Sequence, residues 1–417
     1  MKNNFMVVIL GSDENVYGIA RSFYEAYKIK PIALCKRKLI PTRYSKILKI
    51  ICKENFTNED VFEQTLIDLA KKLKENYEKL ILIPCSDYYV SLIIKHKNIL
   101  KYYENKFISE ELLNSFITKD KFYNLCEKYN ILYPKTLVIK YKDRKSVLDN
   151  LNISFPIVLK PNNSNSTEYL NAKFKGKKKV FIINNKKELE NVIENINKSN
   201  YNDNLIIQEF VPGDDTNMRV INSYSDKNGK VKMIVMGKVL LEEYTPNELG
   251  NYSAIISDTN EKDLLINIKN FLEKIKYTGF ANFDFKYDEK EKKYKCFEIN
   301  PRQGRSSYFV ETCGISLSKL IVSDLVNNEQ TKAIIGAKKE ILWLNVPFWV
   351  LKKYIFNKNL KTKIIEFKKS NKIVYTLFYK KDLNIKRYLT LKKENYNKYK
   401  FYKKYFIKKD SINGLNK

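Results

Sequence analysis

The fold is indicated first by residues 280–302, which read FANFDFKYDEKEKKYKCFEINPR. Two apolar-rich segments flank a short charged turn, and this pattern predicts two strands folded back on each other as a hairpin. Because side chains alternate along a strand, Glu298 and Asn300 share one face, and Asp284 lies on the partner strand. Two carboxylates and an amide oxygen form an all-oxygen set that suits Mg²⁺. The alternative is an amphipathic hairpin whose acidic side chains are simply solvated.

At 417 residues the chain is long enough for two or three domains, and its 44% hydrophobic content is that of a globular protein. The six cysteines are scattered without a CxxC pair, a pattern typical of reduced thiols in the cytosol. The short apolar run within residues 1–10 is interpreted as a first strand and not as a signal peptide. No stretch reaches the roughly 20 apolar residues of a membrane span. These features predict a cytoplasmic protein.

The chain contains one histidine, His96, which lies at a predicted helix end. A single histidine argues against a Ser-His-Asp triad, a histidine general base and a histidine metal site. The chemistry is therefore expected from carboxylates, lysines, arginines and backbone groups. The net charge of +30 has two interpretations, a lysine excess from compositional bias or a surface that attracts anions.

The N-terminal region alternates apolar strands with helices, which predicts a parallel sheet. The predicted strands are Met6–Leu10, Pro31–Cys35 and Leu80–Pro84, and the predicted helices are 19–27 and 62–77. Residues 11–18 are predicted to form a turn that lacks the GxGxxG fingerprint of dinucleotide binding. Asp13 and Asp87 follow strand ends, where open sheets bind ligands, although structural turns explain both residues equally well.

Asp284, followed by Glu298-Ile-Asn300-Pro-Arg302, resembles the metal-binding end of ATP-grasp enzymes. These enzymes activate a carboxylate as an acyl phosphate and transfer it to an amine. The resemblance implies that the two carboxylates and the amide oxygen hold the metal.

A second resemblance narrows the family. Residues 10–18, 107–113 and 118–123 resemble the D-aspartate ligases of cell-wall synthesis, in which a similar domain precedes the ATP-grasp domain. The likeness extends over about residues 5 to 325, and this extent makes it more specific than any one motif.

The resemblance also implies which residues bind the nucleotide. Lys160 ends an apolar strand, where a bare ammonium is costly without an anionic partner, and it matches a phosphate-binding lysine of the family. Lys121, in the first turn of a helix that Thr118 is expected to cap, matches the other such lysine. Residues 205–215 resemble the linker that binds adenosine. The implied contacts are Gln208 with the adenine amino group, Glu209 and Val211 through the main chain, and Asp215 with the ribose.

Four cations are expected around the reacting groups. Arg219 and Lys238 lie among apolar residues of predicted strands, and the resemblance implies that they bind the γ-phosphate or the acyl phosphate. Arg302 is expected to stabilise the transferring phosphoryl group, and Arg305 to hold the substrate carboxylate that is not activated. Asn282 stands where D-alanine–D-alanine ligases have an arginine, which favours the carboxylate–amine ligase branch.

Two loops are expected to cover the site. Residues 162–179 occupy the place of the phosphate-covering loop, but they lack a glycine before Gly176, so the identity of the phosphate-capping groups stays open. Glu242 and Glu243 precede residues 244–252, which are expected to lie over the substrate.

The expected architecture is an α/β fold with three parts. These are an N-terminal parallel-sheet domain over residues 1–105, an ATP-grasp domain over 106–325 whose subdomains meet near 208–215, and a basic C-terminal extension over 326–417. Residues 351–417 contain 21 Lys or Arg against 4 Asp or Glu, interleaved with aromatic and apolar residues. This composition fits contact with nucleic acid, contact with an anionic membrane, or a small folded appendage.

The resemblance implies an ATP-dependent ligase that uses Mg²⁺, or alternatively Mn²⁺, and forms an amide through an acyl phosphate. The implied substrates are D-aspartate, activated at its β-carboxylate, and the lysine side-chain amine of a peptidoglycan stem-peptide precursor such as a UDP-linked muropeptide. Two alternatives stay open. In the first, the protein is a ligase that acts on another amino acid or on a polysaccharide or peptide acceptor. In the second, the ATP-grasp core is degenerate, and the protein binds nucleic acid or anionic membrane.

Overall fold

The structure is a computed structural model that describes residues 4–144, 146, 151–163, 166–245, 248, 250–258 and 261–409. The described residues form two compact units. The first unit contains residues 4–110, 218–283 and 300–407, and the second contains residues 111–217, 284–299 and 408–409. The division of the sequence into three consecutive domains stays a prediction.

Strands and helices alternate through most of the chain, in agreement with the predicted α/β class. In the described residues the strands are β1 Phe5–Leu10, β2 Ile32–Cys35, β3 Lys49–Cys52, β4 Lys79–Pro84, β5 Thr136–Ile139, β6 Ile157–Pro161, β7 Phe181–Ile183, β8 Leu205–Glu209, β9 Met218–Ser225, β10 Val231–Glu242, β11 Tyr252–Asp258, β12 Gly279–Asp288, β13 Lys293–Asn300, β14 Ile334–Ile335, β15 Leu342–Leu344 and β16 Ile373–Tyr375. The α-helices are α1 Glu14–Tyr27, α2 Glu59–Lys74, α3 Asp87–Lys95, α4 Glu110–Ile117, α5 Lys119–Lys128, α6 Thr167–Asn171, α7 Lys186–Asn197, α8 Lys262–Lys274, α9 Tyr308–Thr312, α10 Leu317–Leu325, α11 Phe348–Tyr354, α12 Lys358–Lys369 and α13 Ile385–Tyr405.

The N-terminal sheet is parallel, as predicted, with the strand order β3-β2-β1-β4. Its first helix was predicted to begin at residue 19, and this start is wrong. The helix begins at Glu14, because the Asp13 side chain caps it by accepting a hydrogen bond from the Val16 backbone N–H at 3.1 Å. Gly18 lies inside the helix, where an added Cβ would come within 3.1 Å of the Tyr308 Cβ. This glycine therefore serves close packing and not a turn.

The second unit contains a four-stranded antiparallel sheet with the order β5-β8-β6-β7. Apolar residues of its strands and of α7, including Leu159, Ile193 and Ile207, form one buried core. The register places Lys160 of β6 opposite Ile206 of β8, so the end of β6 carries an ammonium at the edge of this core.

The large sheet has the order β13-β12-β9-β10-β11-β15-β16, and β14 pairs with β10. The predicted hairpin is confirmed: β12 ends at Asp288, β13 begins at Lys293, and the two strands are neighbours in the sheet. In the antiparallel pair β9 and β10, Arg219 lies directly opposite Lys238.

The C-terminal residues 326–407 are part of the first unit. Strands β15 and β16 in this segment extend the large sheet. Arg387 and Asp382 form a fully buried ion pair, and Asp382 also accepts a hydrogen bond from the Tyr17 hydroxyl at 2.8 Å. These contacts connect residues near the two ends of the chain.

Among the described residues, no helix is both long enough and apolar enough to cross a membrane.

Candidate nucleotide and substrate sites

Lys160 is a buried ammonium in the second unit, with 6% of its surface exposed. Its Nζ donates hydrogen bonds to Gln208 Oε1 at 2.8 Å and to the Tyr123 hydroxyl at 3.1 Å, and it lies 5.9 Å from the Phe297 ring centre. Burial, together with the like charge of Lys119, holds the pKa of Lys160 well below its usual range. An anion such as a phosphate would stabilise the charged form here.

Lys119 is the cation that the sequence reasoning missed. Its Nζ lies 3.6 Å from Glu298 Oε2, with 20% of its side chain exposed, and its charge acts on Lys160. Lys121 is exposed on α5, and its role as a phosphate ligand stays a prediction. Both lysines lie in the first turn of a helix that begins after Thr118, so the sequence does not indicate which of them binds phosphate.

Two predicted metal ligands lie near one another in the second unit. Asp284 is on β12 and Glu298 is on β13, and both charges act on the thiol of Cys296. The pKa of Cys296 lies well above its usual range, mainly because the thiol is buried. The hydrogen bond and the charge of Cys126 raise it further, and so do these two carboxylates. These two carboxylates are oxygen donors that fit a hard divalent cation. Asn300, the last residue of β13, belongs to the first unit, and its role as a metal ligand stays a prediction.

A second acidic group lies around Lys295 in the same unit. Asp288, Glu209 and Glu291 have carboxylate oxygens within 4.8 Å of one another. Lys295 Nζ lies between them, at 3.0, 3.1 and 2.8 Å respectively. The ammonium pairs with all three carboxylates and offsets part of their charge, so we interpret the group as an ion-pair network that fixes the linker end of β8.

The linker residues are held by hydrogen bonds within the second unit. Gln208 is fully buried and donates to Thr136 Oγ1 at 2.8 Å. Lys286 Nζ donates to the backbone carbonyls of Val211 at 2.9 Å and Gly213 at 2.8 Å. Asp215, the predicted ribose ligand, accepts from Lys409 Nζ at 2.8 Å. Lys286 was part of the opening motif, but its role in shaping the linker was not predicted.

The predicted phosphate cations Arg219 and Lys238 lie side by side in the first unit. Arg219 is buried and its Nε donates to Asp258 Oδ2 at 3.2 Å. Two neighbouring cations with an acidic counter-charge form a patch suited to an anion.

Arg302 connects one predicted metal ligand to the N-terminal sheet. Its Nη2 donates to Asn300 Oδ1 at 3.3 Å and to Asp87 Oδ2 at 3.1 Å. Asp87 is the first residue of α3 and lies three positions beyond the end of β4; the sequence analysis left open whether it binds a ligand or serves a structural turn.

Arg305 lies among acidic residues of the first unit. It forms an ion pair with Glu248, and the charges of Glu14 and Glu243 also act on it. Burial would lower the pKa of Arg305, but these carboxylates outweigh burial and raise it. Asp13 is half-buried, the charge of the same arginine acts on it, and desolvation raises the pKa of its carboxyl group. The sequence analysis named Asp13, Glu243 and Arg305 individually, but it did not predict that the three residues lie in one cluster.

Parts of both expected covering loops lie outside the described residues. These are residues 164 and 165 of the phosphate-covering segment, and residues 246, 247 and 249 of the segment expected over the substrate. Residues 410–417 of the basic extension also lie outside them.

Comparisons with known proteins identify the family. The RimK-like ATP-grasp domain matches residues 117–229. A D-aspartate ligase from Enterococcus faecium is 42% identical over 418 residues, covering 97% of this chain and 98% of that protein.

Solved structures share the fold at low identity. N5-carboxyaminoimidazole synthetase from Staphylococcus aureus gives a TM-score of 0.58 at 13% identity, covering 88% of this chain and 87% of that chain. The biotin carboxylase domain of Hydrogenobacter thermophilus 2-oxoglutarate carboxylase was solved with MgADP and bicarbonate. It gives a TM-score of 0.58 at 13% identity, covering 81% of this chain and 73% of that chain. The chain belongs to the D-aspartate ligase family of ATP-grasp carboxylate–amine ligases, whose members bind ATP and a divalent metal.

Proposed function

We propose that the protein joins the β-carboxylate of D-aspartate to the lysine side-chain amine of a peptidoglycan stem-peptide precursor, using ATP. The observation that carries this proposal is the grouping of Lys160, Lys119 and Glu298 in the second unit, in a chain 42% identical to a D-aspartate ligase. A buried ammonium, a second cation and a carboxylate at a metal-binding position are the groups that phosphoryl transfer requires.

The proposal assigns one set of residues to the nucleotide and its metal ion. Lys160 and either Lys119 or Lys121 hold phosphate oxygens. The adenosine contacts are Gln208, Glu209, Val211 and Asp215. Asp284, Glu298 and Asn300 hold Mg²⁺, with Mn²⁺ as the alternative ion. When bound, the ion neutralises charge on the β- and γ-phosphates.

The first unit supplies the groups for the substrate. Arg219, Lys238 and Arg302 stabilise the transferring phosphoryl group, and Arg305 holds the aspartate carboxylate that is not activated. A β-carboxylate oxygen attacks the γ-phosphorus, the bond to ADP breaks, and an acyl phosphate forms. The acceptor amine then attacks the acyl carbon, loses a proton, and releases phosphate together with the former carboxylate oxygen.

The acceptor in this proposal is a UDP-linked muropeptide, which places the reaction in the cytoplasm. The alternative within the same chemistry is another amino acid, or a peptide or polysaccharide acceptor. Release of ADP and phosphate, screened across amino acids with a UDP-linked muropeptide, separates these cases. We expect the largest release with D-aspartate, and a product heavier by one aspartyl residue. Activity with other amino acids but not with aspartate would remove the D-aspartate assignment and leave the ligase mechanism standing.

Arg305 gives a second test of the substrate assignment. Lysine keeps the charge but lacks the planar fork that binds a carboxylate through two hydrogen bonds. Arg305→Lys should therefore raise the KM for the amino acid more than the KM for ATP. An equal rise in both constants would contradict a specific contact with the amino acid.

The second candidate role is binding of nucleic acid or anionic membrane by the C-terminal segment. The observation that favours it is the outer face of α13, where Ile385, Leu389 and Tyr396 are exposed beside lysines. Co-sedimentation with anionic vesicles and gel shift with nucleic acid, each at two salt concentrations, test this role. Thermal shifts with ATP, with and without Mg²⁺, test whether the ATP-grasp core is degenerate.

A further inference from the structure

A lysine from the C-terminal helix lies in the acidic cluster around Arg305. Lys398 of α13 has 13% of its side chain exposed. Its Nζ donates to the backbone carbonyl of Asn345 at 2.9 Å and to Glu14 Oε1 at 3.2 Å, and it lies 4.0 Å from Glu243 Oε1. One turn further along α13, Tyr402 is buried and donates to the backbone carbonyl of Glu242 and, at 2.7 Å, to Ser253 Oγ. The helix is therefore fixed at this point.

The same cluster is completed by the side chain of Asn345, which follows β15. Its Nδ2 donates to Glu14 Oε2 at 2.6 Å and to Glu243 Oε1 at 3.3 Å. Glu14 begins α1 and Glu243 follows β10. One amide and one ammonium thus bridge two carboxylates that come from distant parts of the sequence.

The charges in this cluster depend on one another. Burial raises the pKa of Glu243, the charges of Glu14 and Glu248 raise it further, and Lys398 and Arg305 lower it. Burial would lower the pKa of Lys398, but the charges of Glu14 and Glu243 outweigh burial and raise it. Lys398 and Arg305 are therefore two cations that share the same two carboxylates.

We propose that Lys398 is a positioning residue of the amino-acid site: by pairing with Glu14 and Glu243, it keeps these two carboxylates from competing with the substrate carboxylate for Arg305, whose ion-pair partner here is Glu248. The inference rests on the proposed role of Arg305. Without Lys398, the two carboxylates have Arg305 as the nearest compensating cation, and they compete with the substrate for its guanidinium group. The C-terminal segment then contributes to substrate binding indirectly, through Glu14 and Glu243.

The first test is the Lys398→Met variant, assayed for ADP release with D-aspartate and the muropeptide acceptor. Loss of one charged contact corresponds to a rise of about 10- to 100-fold in the KM for D-aspartate. We expect an unchanged KM for ATP, because Lys398 contacts Glu14, Glu243 and Asn345, and none of these residues is assigned to the nucleotide. Lys400→Met is the matched control, because Lys400 is exposed on the same helix, and it should behave as wild type.

A rescue distinguishes positioning from a merely structural role. The Glu14→Gln/Lys398→Met double variant removes the competing charge and should bind D-aspartate better than Lys398→Met alone. Lowering the pH should also reduce the KM defect of Lys398→Met, because protonation of Glu243 releases Arg305. The pKa of Glu243 should rise further in this variant, since the charge of Lys398 lowers it. A KM defect with neither rescue would overturn the proposal.

The outcomes separate this inference from the proposed function. No aspartate-dependent ADP release by the wild-type protein would refute the proposed function. Wild-type activity combined with an unchanged KM in Lys398→Met would refute the role of Lys398. If Lys398→Met fails to unfold cooperatively on heating, Lys398→Gln keeps a hydrogen bond to the Asn345 carbonyl, and the same rise in KM is expected.

Discussion

Replacing Lys160 with methionine tests the nucleotide site most sharply, because methionine keeps much of the side-chain length and removes the charge. The Lys160 ammonium is 6% exposed, and its hydrogen-bond partners, Gln208 and Tyr123, are neutral. The proposal assigns a phosphate of ATP as the group that compensates its charge. Loss of this contact should weaken ATP binding by about 2–4 kcal/mol. The dissociation constant should then rise by about 30- to 700-fold.

Calorimetry with a non-hydrolysable ATP analogue and Mg²⁺ measures this change, and thermal unfolding shows whether the variant is folded. Lys119→Met and Lys121→Met decide which first-turn lysine binds phosphate. We expect the larger loss for Lys119→Met, because Lys119 lies 3.6 Å from Glu298 and Lys121 is exposed. An unchanged affinity in Lys160→Met would refute the assignment of Lys160 to phosphate.

Three further predictions concern protonation, the metal and the C-terminal segment. Burial and the charge of Lys119 lower the pKa of Lys160, so ATP binding should raise that pKa and take up protons. Calorimetry in buffers of different ionisation enthalpy measures this proton uptake. ATP binding without proton uptake would contradict the prediction. Glu298→Gln should lose most Mg²⁺-dependent ADP formation with an unchanged unfolding temperature, and near-normal ADP formation would remove Glu298 from the metal site. Arg387→Met removes the cation paired with Asp382, which keeps only hydrogen bonds from neutral donors such as the Tyr17 hydroxyl, and should lower the free energy of unfolding in urea by about 3–5 kcal/mol; unchanged stability would argue against the buried pair.

Local patterns in the sequence predicted much of the fold. Period-two alternation and a charged turn located the hairpin of residues 280–302, and apolar runs separated by helices located the parallel N-terminal sheet. The start of α1 was wrong because Gly18 was interpreted as part of a turn. A sequence does not show that a glycine is required by a neighbour such as Tyr308, 290 positions away.

The site was predicted only in part, because its charges come from distant segments. Lys119 and Lys121 have the same local signals, and only the fold brings Lys119 to Glu298. Lys398 and Glu14 are 384 positions apart, and nothing in the lysine-rich sequence near Lys398 distinguishes it from the lysines around it. Such contacts depend on tertiary packing and not on local periodicity.

Transfer of oxygen from the amino acid to phosphate tests the central claim most directly. D-aspartate labelled with oxygen-18 in its β-carboxylate is incubated with the protein, ATP, Mg²⁺ and the UDP-linked muropeptide. Mass spectrometry then measures the label in the released phosphate. If an acyl phosphate forms, each released phosphate carries one labelled oxygen, and one aspartyl residue is added to the acceptor. Released phosphate without label would contradict the account.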